Sequence, residues 1–109
     1  MPYNLKLAER IRTELQGVPF VEKKMFGGIG FLLHGNMACG VYKEDMIVRV
    51  DPEKHSELLR KPHVKPFDIT RRPMKGWLLI EVDGCKTARQ LNTWIIKEGV
   101  KFALTLPPK

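Results

Sequence analysis

The chain has 109 residues, of which 43% are hydrophobic and 28% charged, with a formal net charge of +7. That is the size and composition of one soluble, folded domain able to bury a core without staples, so intrinsic disorder is excluded. No apolar run approaches the roughly 18 residues that a membrane helix needs.

In chain order, Asn4 is placed to cap a helix over Leu5–Leu15, with an apolar stripe of Leu5, Ala8, Ile11 and Leu15, ended by Gly17 and Pro19. Strand signals fill residues 20–50. Val21–Phe26 leads into a glycine cluster, and Ile29–His34 follows. Gly35-Asn36 reads as a two-residue hairpin turn. The next run, Met37–Tyr42, alternates, placing Met37, Cys39 and Val41 on one face and Ala38, Gly40 and Tyr42 on the other. Lys43-Glu44-Asp45 turns the chain into Met46–Val50.

Asp51-Pro52-Glu53 starts a short helix anchored by Leu58 and Leu59, with its cap, its proline at the first position and an acid at the positive dipole end. Pro62 and Pro66 bracket an extended connection. Trp77–Val82 returns as a strand, Asp83-Gly84 turns, and Thr87 caps a last helix to about Leu104. Its buried stripe is Ala88, Leu91, Ile95 and Phe102 with Trp94 alongside, and Gly99 within it marks close packing or a kink. The expected class is α+β in two layers, an antiparallel meander with helices at both ends and one between strands.

Chemistry-bearing constellations are scarce. Gly27-Gly28-Ile29-Gly30 lacks the spacing of a dinucleotide fingerprint and opens a strand, not a helix, so Gly27, Gly28 and Gly30 read as a bend or a close approach of backbones. The same stretch fails as an RNA-recognition box because Ile29 and His34 stand where stacking aromatics belong. His34, His55 and His63 show no metal spacing and read as surface residues. Cys39 reads as a small core hydrophobe and Cys85 as a turn residue, both reduced. No pair of acids is placed for acid–base work, so a non-enzymatic role without catalytic residues, metal or cofactor is expected. The lack of an export signal at the N-terminus points to the cytoplasm.

Charge is concentrated between Arg60 and Lys75, where Arg60, Lys61, Lys65, Arg71, Arg72 and Lys75 face one acid, Asp68. Such a stripe suits nucleic acid, an acidic protein surface, or plain solvation. Arg71 and Arg72 offer forked donors, and Gly76 permits an unusual dihedral before Trp77, which is either core or an interface anchor.

Five blocks recur in order: Lys23/Lys24-Met25-Phe26-Gly27-Gly28-Ile29-Gly30-Phe31, Gly35-Asn36-Met37, Arg49-Val50-Asp51-Pro52-Glu53, Arg72-Pro73-Met74-Lys75-Gly76-Trp77, and Trp94 with Thr105-Leu106-Pro107-Pro108-Lys109. Together they resemble the N-terminal domain of the TfoX/Sxy competence-regulator family across nearly the whole chain. The resemblance implies an antiparallel α+β domain of secretion-chaperone-like fold. It also implies a protein partner in transcription, a cyclic-AMP-dependent activator. Full-length regulators of that type carry a second, helical domain, whereas this chain stops at Lys109. The expected partner surface is the Arg60–Lys75 segment with Trp77 and the nearby sheet; direct nucleic-acid binding through the same segment is the alternative, and a small enzyme or ligand binder the least favoured reading. Apolar residues on both strand faces imply that helices cover both sides of the sheet or that a second copy covers one, as a homodimer.

Overall fold

The computed structural model describes residues 3–25, 27–67 and 75–108. Helix α1 (Leu5–Glu14) begins at Asn4, whose Oδ1 accepts the Leu7 N–H at 3.0 Å. Five strands then build most of a six-stranded antiparallel sheet: β1 (Val21–Met25), β2 (Gly28–Leu33), β3 (Asn36–Tyr42), β4 (Asp45–Arg49) and, after a helical excursion, β5 (Val64–Pro66). Strand β6 (Trp77–Ile80) inserts between β4 and β5, giving the order β1-β2-β3-β4-β6-β5. The excursion is a 3₁₀ turn, Pro52–Lys54, capped by the Asp51 carboxylate, running into α2 (His55–Leu59).

The C-terminal helix starts as α3 (Ala88–Asn92) behind a capping box, in which Thr87 Oγ1 accepts the Gln90 N–H and Gln90 Oε1 accepts the Thr87 N–H. It continues through a π-helical stretch, Thr93–Val100, and a last α turn, α4 (Lys101–Ala103). The expected fold class therefore holds, with the short β5 added where only an extended connection was anticipated.

The register sorts the sheet into two faces. Cross-strand rows such as Phe31–Cys39–Val48–Leu78 and Ile29–Val41–Met46–Ile80 point to one side. They form the main core with Leu7, Ala8, Ile11, Leu58, Leu91, Trp94, Ile95, Val100 and Ala103 from the helices. On the opposite side a row runs Lys23–Gly30–Gly40–Ile47–Leu79–Lys65 across all six strands. Its apolar cluster of Met37, Ile47 and Phe67, with Met25, Leu32, Tyr42, Trp77 and Leu79 packed beside it, contains no helix residue. Among the described residues all helices thus cover one face, which removes the first of the two expected coverings.

Several sequence expectations shift for local reasons. Ala8, Ile11 and Leu15 of the expected stripe are buried, but Leu5 is 40% exposed and Leu7 fills the core at the N-terminal end of α1 instead. The β2–β3 turn is His34-Gly35, with φ of 50° and 85°, the positive pair that a tight hairpin demands. Asn36 is instead the first residue of β3, buried, with its Nδ2 donating to the Pro107 carbonyl at 2.9 Å.

Ala38 is the larger surprise. The register passes from Phe31↔Cys39 to Leu32↔Met37, leaving Ala38 as an extra residue, a β-bulge. The bulge sends Met37 to the opposite face from Cys39 and Val41, against simple alternation. Ala38 itself joins the helix-side core. In the last helix, Ala88 is exposed and Phe102 half-buried, while Trp94, Gly99, Val100 and Ala103 are buried. The wider π turn rotates the stripe away from the 3.6-residue period.

Gly99 is where the bulge and the helix meet: a Cβ there would lie 2.6 Å from the Ala38 carbonyl oxygen. Gly99→Ala is expected to cost about 1–3 kcal/mol despite alanine's better helix propensity, because backbone must move to admit it. Urea unfolding monitored by circular dichroism measures this, and an unchanged midpoint would show that the contact is slack.

Candidate functional site

The helix-free sheet face is organised by glycine. Gly30 and Gly40 pair across β2 and β3, and neither offers a side chain, so Met25 and Met37 lie over them. A Cβ at Gly30 would sit 3.2 Å from Met25 Cε and 3.3 Å from Met37 Cε. Gly28 backs onto the Val41 carbonyl, as the close-approach reading of the glycine cluster anticipated, and Gly27 turns the chain with φ 76°. Two flexible thioethers thus form a pliable floor beside Leu32 and Leu79.

Aromatic residues wall the floor. Tyr42 and Phe67 meet edge to face at 6.1 Å, and Phe67 and Trp77 lie 6.5 Å apart. Trp77 is half-buried, and Arg49, its cross-strand partner, stacks on it. The Arg49 guanidinium carbon is 5.1 Å from the Trp77 ring centre and 5.6 Å from that of Phe102. Burial lowers the Arg49 pKa from its ordinary value, yet an arginine stays charged there. Among the described residues Arg49 has no ion pair, and neither do Lys23 and Lys75.

The remaining cations of the basic segment scatter. Lys65 Nζ sits 3.8 Å from Asp45 and 3.7 Å from Glu81, so its charge is answered within the chain. Burial raises the Asp45 pKa, and the nearby Lys65 opposes that rise. Lys61 turns to the helix layer, with Nζ 5.5 Å from the Trp94 ring centre. Arg60 is an exposed C-cap of α2. The structure therefore places Lys61 and Lys65 in different surroundings and leaves Arg60 and Lys75 exposed, while Arg71 and Arg72 lie outside the described residues. Sequence reasoning missed Arg49, which was visible only as the first residue of the Arg49–Glu53 block. It also missed Met25 and Met37 as a pair, because the Ala38 bulge that brings them together has no sequence signature.

His55, expected at the surface, is half-buried and holds a neighbouring turn in place, since its Nδ1 accepts the Gly76 N–H at 2.9 Å. Gly76 is buried with φ 90°, in the dihedral region foreseen for it, and its carbonyl accepts the Val50 N–H at 2.7 Å. This pair of bonds fixes how the chain enters β6 and hence where Trp77 stands. His55→Ala is expected to leave the Gly76 donor unpaired, costing about 1–2 kcal/mol. Faster hydrogen exchange at the Gly76 amide would report it, and unchanged protection would refute the anchoring role.

Both cysteines are buried thiols. Burial pushes Cys39 up to about 12 and Cys85 up to about 11. Cys85 also donates weakly to the Glu81 and Val82 carbonyls. Raised values favour the protonated, folded form. The stabilisation they represent is complete below the unfolded thiol range near pH 9 and fades as pH climbs towards 11–12. Native protein is thus expected to resist a thiol reagent at pH 8 while urea-unfolded protein reacts at both sites. Cys39→Ala should flatten the alkaline loss of melting temperature; an unchanged alkaline limb would exclude Cys39 as its source.

Among the described residues no group of three histidine, cysteine or acidic side chains could hold a metal, and no helix is long and apolar enough to cross a membrane. What the geometry defines is a two-layer α+β domain with one sealed face and one adaptable, cation-flanked face. The family model for the TfoX N-terminal domain matches residues 15–103, and the chain belongs to that family. No curated protein and no solved structure matches it.

Proposed function

We propose that the chain is a non-enzymatic regulatory domain that binds a protein partner in transcriptional control through its helix-free sheet face. The observation that carries this reading is the half-buried set Met25, Leu32, Tyr42, Trp77 and Leu79 around the buried Met37 and Ile47. Lys23 and Arg49 stand beside it without ion pairs among the described residues. An apolar centre with a charged rim, rich in Met, Trp, Tyr and Arg, is the anatomy of protein interfaces. The family, linked to competence regulation, supports the regulatory setting.

Direct nucleic-acid binding is the second reading, favoured by the net charge of +7. The dispersal of Lys61 and Lys65 to different surroundings weighs against it, because phosphate binding needs a continuous cationic track. Duplex DNA and single-stranded RNA titrated by fluorescence anisotropy at low salt separate the two, and saturable binding that falls steeply with salt would favour nucleic acid.

Affinity capture from the native host is the main experiment, using wild-type protein, Leu32→Glu on the open face and Leu104→Glu, which alters a side chain already 55% exposed. The partner, with the cyclic-AMP-dependent activator as first candidate, is expected with wild type and Leu104→Glu and lost with folded Leu32→Glu. Equal capture by all three would remove this face from the mechanism. A sedimentation mass twice that of the chain for wild type, but not for Leu32→Glu, would assign the face to a second copy instead.

A further inference from the structure

In the helix layer, away from the open sheet face, a hollow of about 290 Å³ lies between the α2–β5 turn and the first turns of the C-terminal helix. Lys61, His63, Arg89, Gln90, Thr93 and Trp94 line it, and no carboxylate does. Neither Lys61 nor Arg89 has an ion pair among the described residues. Two permanent cations without a counter-charge therefore share one concave space with a histidine, an amide and a hydroxyl.

The rim is built rather than loose. His63 holds a left-handed backbone, φ 64°, uncommon for a residue with a side chain. Its carbonyl accepts the Glu81 N–H at 2.8 Å, which ties the turn to the end of β6. Gly84 packs so closely beneath that a Cβ there would stand 2.9 Å from His63 Cβ. Trp94, only 7% exposed, forms a fixed wall, and Lys61 is drawn over its ring. Local strain held in place by its surroundings is the kind of feature that gathers at ligand sites.

We propose that this hollow binds the phosphoryl group of a small phosphorylated ligand. A phosphate monoester carries close to two negative charges at neutral pH, matching Lys61 and Arg89. Arginine's planar fork suits two phosphoryl oxygens, and the lysine acts as a mobile point charge beside it. The Gln90 amide nitrogen remains available as a further donor, since its Oε1 is the atom engaged in the capping box. The ligand is small because the two cations share one open hollow of about 290 Å³ rather than forming a track.

Trp94 supplies the readout. In a Trp77→Phe background the remaining tryptophan fluorescence is titrated with inorganic phosphate and with phenyl phosphate, against sodium chloride and acetate at matched ionic strength. Should that variant fail to fold, the Trp94 indole and the Arg89–Thr93 amides of isotope-labelled wild type report the same event by NMR. A saturable change at millimolar phosphate is expected, absent with chloride. Arg89→Ala and Lys61→Ala are each expected to weaken it roughly tenfold or more, as for loss of a charge-assisted hydrogen bond. Lys97→Ala, outside the hollow, is expected to leave it unchanged. A linear response equal to that of chloride, or one indifferent to Arg89 and Lys61, would overturn the proposal. So would duplex DNA binding through these two residues far more tightly than phosphate, which would make the hollow part of a nucleic-acid surface.

Discussion

The packing of Gly99 against the carbonyl of Ala38 is the constraint from which the rest of the architecture follows. The extra residue in β3 pushes a backbone carbonyl towards the helix layer, and only a residue without a Cβ can meet it there. The helix answers by widening into π turns over Thr93–Val100, which brings Trp94, Ile95, Val100 and Ala103 onto the sheet. The same bulge turns Met37 outward, and with it the sheet acquires a second apolar cluster. One inserted residue therefore sets both the close fit of the sealed face and the composition of the open one.

The electrostatics follow the same division. Arg12 is held by a bidentate contact to Glu22 at 2.7 and 2.8 Å, fastening α1 to the edge strand β1 on the sealed side. That carboxylate is pulled below its usual range by the arginine, so the link is strongest above the carboxylate range and is lost on acidification. Being largely exposed, it contributes modestly. Arg10 donates to the Cys85 and Lys86 carbonyls and so joins α1 to the approach of the C-terminal helix. Arg10 and Arg12 thus tie elements together through hydrogen bonds, whereas Arg49 bridges β6 and the C-terminal helix through the rings of Trp77 and Phe102.

The elements with local signatures were legible in the sequence. Asn4, Asp51-Pro52 and Thr87 announced their helices through side-chain capping, and the caps form as expected. Alternation located β2, β3 and β4 to within a residue or two, and the ordered motif blocks pointed to the family. What could not be read depends on long-range contact. The Ala38 bulge and the π stretch are each a compromise between two distant segments, and neither leaves a periodic trace in its own. β5 is three residues ending in a proline, too short to alternate, and its pairing with β6 comes from a distant segment. His55 looked like a surface residue because its acceptor role depends on Gly76, twenty-one positions away. The candidate interface was half visible: Trp77 stood out by chemistry, but Met25 and Met37 became neighbours only through the register.

The row that crosses the open face ends in lysine at both margins, Lys23 on β1 and Lys65 on β5, and β5 closes with Pro66. A second copy pairing edge to edge would bring ammonium groups together on one side and meet a residue with no N–H on the other. Growth of the sheet along its hydrogen-bonding direction is thereby opposed at both edges. Strand-by-strand stacking of copies into filaments is thus discouraged by the residues that end the row, Lys23 and Lys65, together with Pro66.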